Sequence, residues 1–279
     1  MNRQEIYLEI AHQVAHDDLI FPTGAQVALK LRRAVDDPEC HIDTAAKLIQ
    51  AEPLLSARVI EISNSVAFNR SGREITDIHV AVSLLGFRTI RALAMALVTR
   101  QMAGQSMTPE HQELVNKLWE HSSQVASLAH AIARHVTHVD PETAFFAGII
   151  HEIGGFYMLS CSEEFPGLIG EDFSEWVESG EIAVGRQVLK RLKVPDTVYR
   201  IMESFWDGLL AMPPVTLADT LLLAEELAQV SSPLHRLNNR VEGKALNASI
   251  EMLIGEETLS IILKESSEEI DSLTRALQF

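Results

Sequence analysis

Ala144-Phe-Phe-Ala-Gly-Ile-Ile-His151-Glu152-Ile-Gly-Gly155 is the stretch that decides how this chain is read. It is apolar almost throughout, yet it carries an adjacent imidazole and carboxylate. Ala144, Ala147, Gly148 and Gly155 flank that pair with small side chains. Asp140-Pro141-Glu142 stands just before it and reads as a helix start: a capping side chain, a first-turn proline and a carboxylate at the positive end of the helix dipole. The pattern predicts a helix from there to about Ser160.

Outward from this stretch, apolar residues recur at three and four, and no window alternates with period two. Val27, Leu31 and Val35 share a face after Thr23. Asp43 can cap a helix through Leu48 and Ile49, and Pro53 fits the first turn of the next, which carries Leu55, Val59 and Ile62. Asp77 opens another helix and Gly86 fits its stop. Phe87 to Met102 continues as an Ala-, Leu- and Met-rich helix that can approach its neighbours closely. The polar segment from Ala103 to Pro109 is the boundary between two halves. A long helix follows, from about Pro109 to Thr137. Beyond Ser160 come helices near Phe173 to Glu178, Ile182 to Leu192, Asp196 to Glu203 and Leu217 to Val230, then an amphipathic C-terminal one. The acidic runs Glu256-Glu257 and Glu265 to Asp271 read as a solvated helix face. The fold class is all-α.

Composition sets the limits on function. Of 279 residues, 47% are hydrophobic and 22% charged, a globular balance with enough apolar material for a sizeable core. Lys and Arg number 23 against 39 Asp and Glu, a net charge of −16. That field repels phosphate backbones and anionic lipid heads, so neither nucleic acid nor membrane is an expected partner. Thr44 to Ser63 faintly resembles a helix-turn-helix but has no basic recognition helix. The two cysteines, Cys40 and Cys161, build no disulfide scaffold. No signal-peptide pattern opens the sequence, and apolar runs such as Ile90 to Val98 fall short of a bilayer span. The expectation is a soluble, cytoplasmic protein.

No Gly-rich phosphate loop, nucleophile elbow or Cys-pair zinc spacing is present. The chemistry-bearing residues are His121, on the apolar stripe of the long helix with Val125, Leu128 and Ile132, the pair His151-Glu152, and Asp219 in the apolar segment Val215 to Leu223. Taken singly, a buried His is satisfied by a carbonyl or a water, and Asp219 caps a helix or pairs with a cation. Taken together, imidazoles and carboxylates are the ligand set of borderline divalent metals, and buried charges need such partners.

His121-Ser-Ser-Gln-Val, then Ala-Gly-Ile-Ile-His151-Glu152-Ile-Gly154, then Leu-Ala-Asp219 resembles the motif order of the HD superfamily of metal-dependent phosphohydrolases. In the first half, Phe21-Pro22, then Ala51-Glu-Pro-Leu-Leu to Asn64-Ser65, then Ile78 to Gly86 looks like the HDOD domain (HD-related output domain) of bacterial signalling proteins. The two matches cover roughly residues 15 to 230. The resemblance implies an N-terminal helical subdomain, residues 1–105, packed on an HD-like helical bundle with C-terminal helices, residues 106–279.

Departures from the family pattern shape the functional expectation. The superfamily's His-Asp pair is here His151-Glu152, one methylene longer. The lysine that often follows in active phosphodiesterases is replaced by Gly155. Where binuclear members carry a His-His pair, this chain reads Met202-Glu-Ser-Phe-Trp206-Asp. The nearest basic residues, Arg134 and Lys117, read as solvated. The expectation is therefore a regulatory module that binds a signalling protein or small ligand without catalysis and without a cofactor. The alternatives are a metal-dependent phosphohydrolase, with His121, His151 and Asp219 as ligands and Glu152 as ligand or base, and a scaffold stabilised by a single Mn, Fe, Ni or Zn ion. In the HDOD-like block, Asn64-Ser65 is read as satisfying helix-end and turn backbone groups, and Arg58 as pairing with Glu61.

Overall fold

The computed structural model describes residues 2–16, 23–102, 108–165, 167–169, 173, 175–211, 213–235, 264 and 267–278. Phe21-Pro22, the boundary residues 103–107, Glu256-Glu257 and Glu265 lie outside them. Among the described residues there is no strand, so the chain is all-α.

The first half builds α1 (Arg3–His16), α2 (Thr23–Val35), α3 (Ile42–Gln50), α4 (Pro53–Asn64) and α5 (Ile78–Met102). Glu52 caps α4 by accepting from the Leu55 N–H, and Asp77 accepts from Val80 N at the start of α5. His41 rather than Asp43 is the N-cap of α3; Asp43 sits in its first turn. Gly86 (φ 72°, ψ 163°) leaves helical geometry and divides α5 into two helical segments across a kink, the stop that the sequence predicts there, at a backbone angle that a Cβ would strain. By length and composition α5 could cross a bilayer, but most of it is buried inside the protein, as in a core helix. It packs on α2, α3 and α4 and also on α7, so the first half and the second share one hydrophobic cluster.

The second half begins with α6 (Pro109–Ile132), capped by Thr108 and extended by a π-helical turn (Ala133–Thr137) that ends on left-handed His138. Then come α7 (Pro141–Ile150), α8 (Ile153–Ser160), a π-helical turn (Trp176–Gly180), α9 (Glu181–Arg191), α10 (Asp196–Asp207), α11 (Leu217–Leu227), a 3-10 turn (Pro233–His235) and α12 (Ser267–Leu277). Asp140 accepts from Thr143 N and Pro141 opens α7, as the sequence predicts.

Two close approaches decide how α6, α7, α8 and α9 meet. A Cβ on Gly148 would lie 2.4 Å from the Ala126 Cα, so α7 runs directly against the backbone of α6. A Cβ on Gly154 would lie 2.9 Å from the Gly185 nitrogen, which brings α8 onto α9 in the same way. The helix expected to run through to Ser160 is broken between these contacts, at His151-Glu152, because each half must lie against a different neighbour. Further off, α2 is tied to the end of α9: buried Arg32 donates from Nη1 to the carbonyls of Leu192 and of Lys193 (3.1 Å).

Asn64 donates to the carbonyls of Ile60 and Ile75 and accepts from Ile75 N, a stapled turn. Arg58 pairs with Glu61. Trp119 and Trp176 are core residues and Trp206 is partly buried. Both cysteines are free.

A buried histidine–glutamate cluster

The break after α7 is what allows His151 and Glu152 to serve one place. On an unbroken helix, adjacent side chains point about 100° apart. Here Glu152 leaves helical geometry (φ −102°, ψ 19°), and both side chains turn inward. His121 comes from the middle of α6, carried to them by the Gly148–Ala126 contact. One donor atom each from His121, His151 and Glu152 lies within 4.8 Å of the others.

Asp219 does not join them. It is the N3 residue of the capping box that starts α11, where Thr216 Oγ1 accepts from Asp219 N and the carboxylate accepts from Thr216 N in return. The same carboxylate also takes hydrogen bonds from Ala211 N, Val215 N and the Thr216 hydroxyl, so its work is to hold the loop before α11. Burial would raise its pKa, but these donors hold it below the ordinary aspartate value.

The acid that meets the histidines is Glu225. Six residues further along α11 is about one and two-thirds turns, so Glu225 faces a different side from Asp219. Its Oε2 lies 3.1 Å from His121 Nε2 and 3.4 Å from His151 Nε2. The signal for it is in the sequence: Leu217-Ala-Asp219 and Leu223-Ala-Glu225 are the same pattern twice, both acids are buried, and only the second reaches the histidines.

The two imidazoles are held in a defined state. His121 Nδ1 donates to the Val230 carbonyl (2.8 Å) and His151 Nδ1 to the Gly148 carbonyl (2.7 Å). A carbonyl only accepts, so each Nδ1 carries its proton and each neutral ring presents a lone pair at Nε2. Those two Nε2 atoms are 3.1 Å apart. Two lone pairs at that distance, with a carboxylate on both, require a positive centre: a proton that makes one ring an imidazolium, or a cation between them. The Val230 carbonyl is itself positioned, because Gln124 Oε1 accepts from Val230 N (2.8 Å).

Burial opposes charge on His151, yet the hydrogen-bonded Glu225 carboxylate, with Glu152 and the Gly148 carbonyl, raises its pKa. Burial would likewise raise Glu225, but the two imidazoles pull it well below the ordinary carboxylate range. When no cation lies between the rings, these shifts favour a charged pair, and it is kept away from water: His121, His151, Glu152 and Glu225 are 0%, 1%, 0% and 6% exposed.

Two side chains close it. Phe205 of α10 presents its ring to His151 (centroids 5.8 Å, 84°), so the segment where the resemblance places a His-His pair supplies an apolar wall. Leu234 of the 3-10 turn lies against Gly155: a Cβ there would be 2.4 Å from Leu234 Cδ1 and 3.3 Å from Glu152 Oε2. A side chain at the position where the resemblance places a lysine would have to displace the tip of Leu234. Arg134 and Lys117 are engaged elsewhere, with Glu269 and Glu113 respectively.

The comparisons with known proteins agree with this architecture. Residues 21–203 match the HDOD domain. No curated protein matches the chain. Among solved structures, the fold is similar to a Shewanella amazonensis SB2B protein named "Putative metal-dependent phosphohydrolase" (20% identity, TM-score 0.70, covering 99% of this chain and 100% of that one). It is also similar to an HDOD domain protein with unknown function from Geobacter sulfurreducens (21%, TM-score 0.61, 98% and 97%). A third is a Marinobacter aquaeolei VT8 protein named "Putative signal transduction protein" (17%, TM-score 0.58, 100% and 65%).

Proposed function

This chain belongs to the HDOD domain family, and we propose that it is a signal-transduction module that works by binding a partner protein or small ligand rather than by hydrolysing phosphate esters. The observation that carries this reading is the enclosure of the histidine–glutamate cluster. A phosphoester reaches a catalytic centre through an open cleft, and the four side chains here are sealed behind Phe205 and Leu234. Names such as signal transduction protein among the similar structures point the same way.

The donor set nonetheless fits a single divalent ion. Bonds of about 2.1 Å at angles between 90° and 109° place ligand atoms about 3.0 to 3.4 Å apart. The Nε2, Nε2 and Oε2 atoms of His121, His151 and Glu225 are separated by 3.1, 3.1 and 3.4 Å. These three residues would hold Mn, Fe, Ni or Zn, with Glu152 beside them, and a bound ion would supply a fixed Lewis-acidic charge. This favours the phosphohydrolase as the second reading, as does the name of the Shewanella protein. In either state the chain's own residues fix the rings by their Nδ1 bonds and exclude water.

A direct test is hydrolysis of bis(p-nitrophenyl) phosphate by the purified protein with Mn, Ni or Fe, alongside elemental analysis. The proposal expects no turnover above buffer with any metal. Metal-dependent turnover that disappears in His151→Ala would replace it with the hydrolase reading.

A further inference from the structure

The last helix is seated across both halves of the protein. α12 lies beyond residues 21–203 in sequence and packs on α6 and α4, one helix from each half of the chain. Ile270, Leu273, Ala276 and Leu277 form its buried stripe, the spacing of an amphipathic helix laid in a groove.

The groove also has polarity. At the start of α12, Glu269 is received by three basic groups of α6 and its π-helical turn: His130 Nδ1 at 3.1 Å and Arg134 Nη1 at 3.4 Å on Oε1, and His135 Nε2 at 3.5 Å on Oε2. At its end, Trp119 Nε1 donates to the Leu277 carbonyl (2.9 Å) and Arg58 Nη1 to the Ala276 carbonyl (3.3 Å). Basic groups meet the carboxylate of the first turn, and donors meet the unsatisfied carbonyls of the last. This is the arrangement that both the macrodipole and the open hydrogen bonds of a helix call for. The sequence pattern places Glu269 on a solvated face; the structure buries it instead, in a local basic patch on a strongly acidic protein. An open cleft of about 550 Å³ borders the seam between α4 and α12, lined in part by Asn64, Glu74 and Arg275.

An isolated helix of this length is marginal in water, so its folding and its docking are one step and can be reversed together. We propose that α12 is a displaceable internal occupant of a helix-docking groove on α4 and α6. The partner of this module is then an amphipathic helix with a carboxylate in its first turn and apolar residues at the spacing of Ile270, Leu273 and Leu277. Release of α12 and capture of the partner helix are one exchange. The inference rests on the partner-binding reading and gives it a surface; it is scored by binding, whereas that reading is scored by phosphoester turnover, so the two fail in different assays.

The experiment uses the full chain with Leu273→Asp, which undocks the resident helix, and a fluorescein-labelled peptide of residues 267–278 followed by anisotropy. The expected result is binding at least tenfold tighter to the variant than to the unaltered chain, and a loss of at least tenfold when the peptide carries Glu269→Lys. Absence of peptide binding to a variant that keeps its helical circular dichroism would overturn the proposal. Should the variant not fold, hydrogen exchange on the unaltered chain decides. α12 amides at least tenfold less protected than those of α6 support a separable helix, and α12 amides that exchange only with global unfolding refute it. A dimer in solution that becomes a monomer with Leu273→Asp would make a second copy the occupant and would also refute the partner assignment.

Discussion

His121 and His151 face each other through Nε2 atoms 3.1 Å apart, each with its Nδ1 proton committed to a backbone carbonyl. Neutral rings fixed in this way repel, so the pair exists only with a positive charge between or upon them. Glu225 is the counter-ion that makes that charge tolerable in the interior.

Removing the counter-ion should be far more damaging than removing the acid that starts the same helix. Glu225→Ala leaves buried imidazoles without their carboxylate and is expected to cost about 3–5 kcal/mol. Asp219→Ala removes a cap and its loop contacts, a cost of about 1–2 kcal/mol. Urea unfolding of the two variants checks the difference; equal losses would contradict the assignment of the two acids.

Stability should fall on both sides of a mildly acidic window. His151 has its folded pKa raised above the ordinary 6.5, so its contribution is complete below that value and is lost as pH rises through the folded value. Glu225 is depressed far below the ordinary 4.5, so its contribution is complete above that value and is lost as pH falls through the folded value. In the presence of chelator, the cluster therefore stabilises most between about pH 4.5 and 6.5. Unfolding free energies measured from pH 4 to 9 should show a decline on the alkaline side that is absent from His151→Phe.

The two close helix approaches predict overpacking effects. Gly148→Ala would drive a methyl into the Ala126 backbone, and Gly154→Ala into that of Gly185. Each is expected to cost about 1–3 kcal/mol or more, since the obstacle is main chain and cannot rotate away. Thermal unfolding of the alanine variants is the measurement. Gly72→Ala serves as a strained but uncrowded control, because its φ is positive and an added methyl there would meet nothing within 4 Å.

A divalent ion that fits the donor triangle should bind through Glu225. Zinc or manganese added to chelator-treated protein is expected to raise the melting temperature in the unaltered chain and in Asp219→Ala, and to leave Glu225→Ala unchanged. A shift that vanishes with Asp219→Ala and persists with Glu225→Ala would reverse the ligand assignment.

Much of this is legible in the chain itself. Helix starts at Pro53, Pro109 and Pro141 follow from proline and its capping neighbours, because those signals are local. The gathering of His121 with His151-Glu152 is visible in the motif order. What the sequence does not separate is Asp219 from Glu225, two buried acids after the same Leu-Ala pair, since which one reaches the histidines depends on where α11 begins. The break at His151-Glu152 is likewise hidden: its cause is the packing of Gly148 on Ala126 and Gly154 on Gly185, contacts between residues far apart in the chain. Glu269 reads as a surface charge for the same reason, its basic partners lying on α6 and the turn that follows it.

The Val230 carbonyl, pinned by Gln124, has a wider role than closing one hydrogen bond. It ties the orientation of an interior ring to a stretch of main chain at the far end of α11. Pulling that stretch away by an ångström would unlock the ring and disperse the charge stored behind Phe205. The path of the polypeptide after α11 and the ionic state of the interior are thereby geared to one another, as a latch is to its bolt.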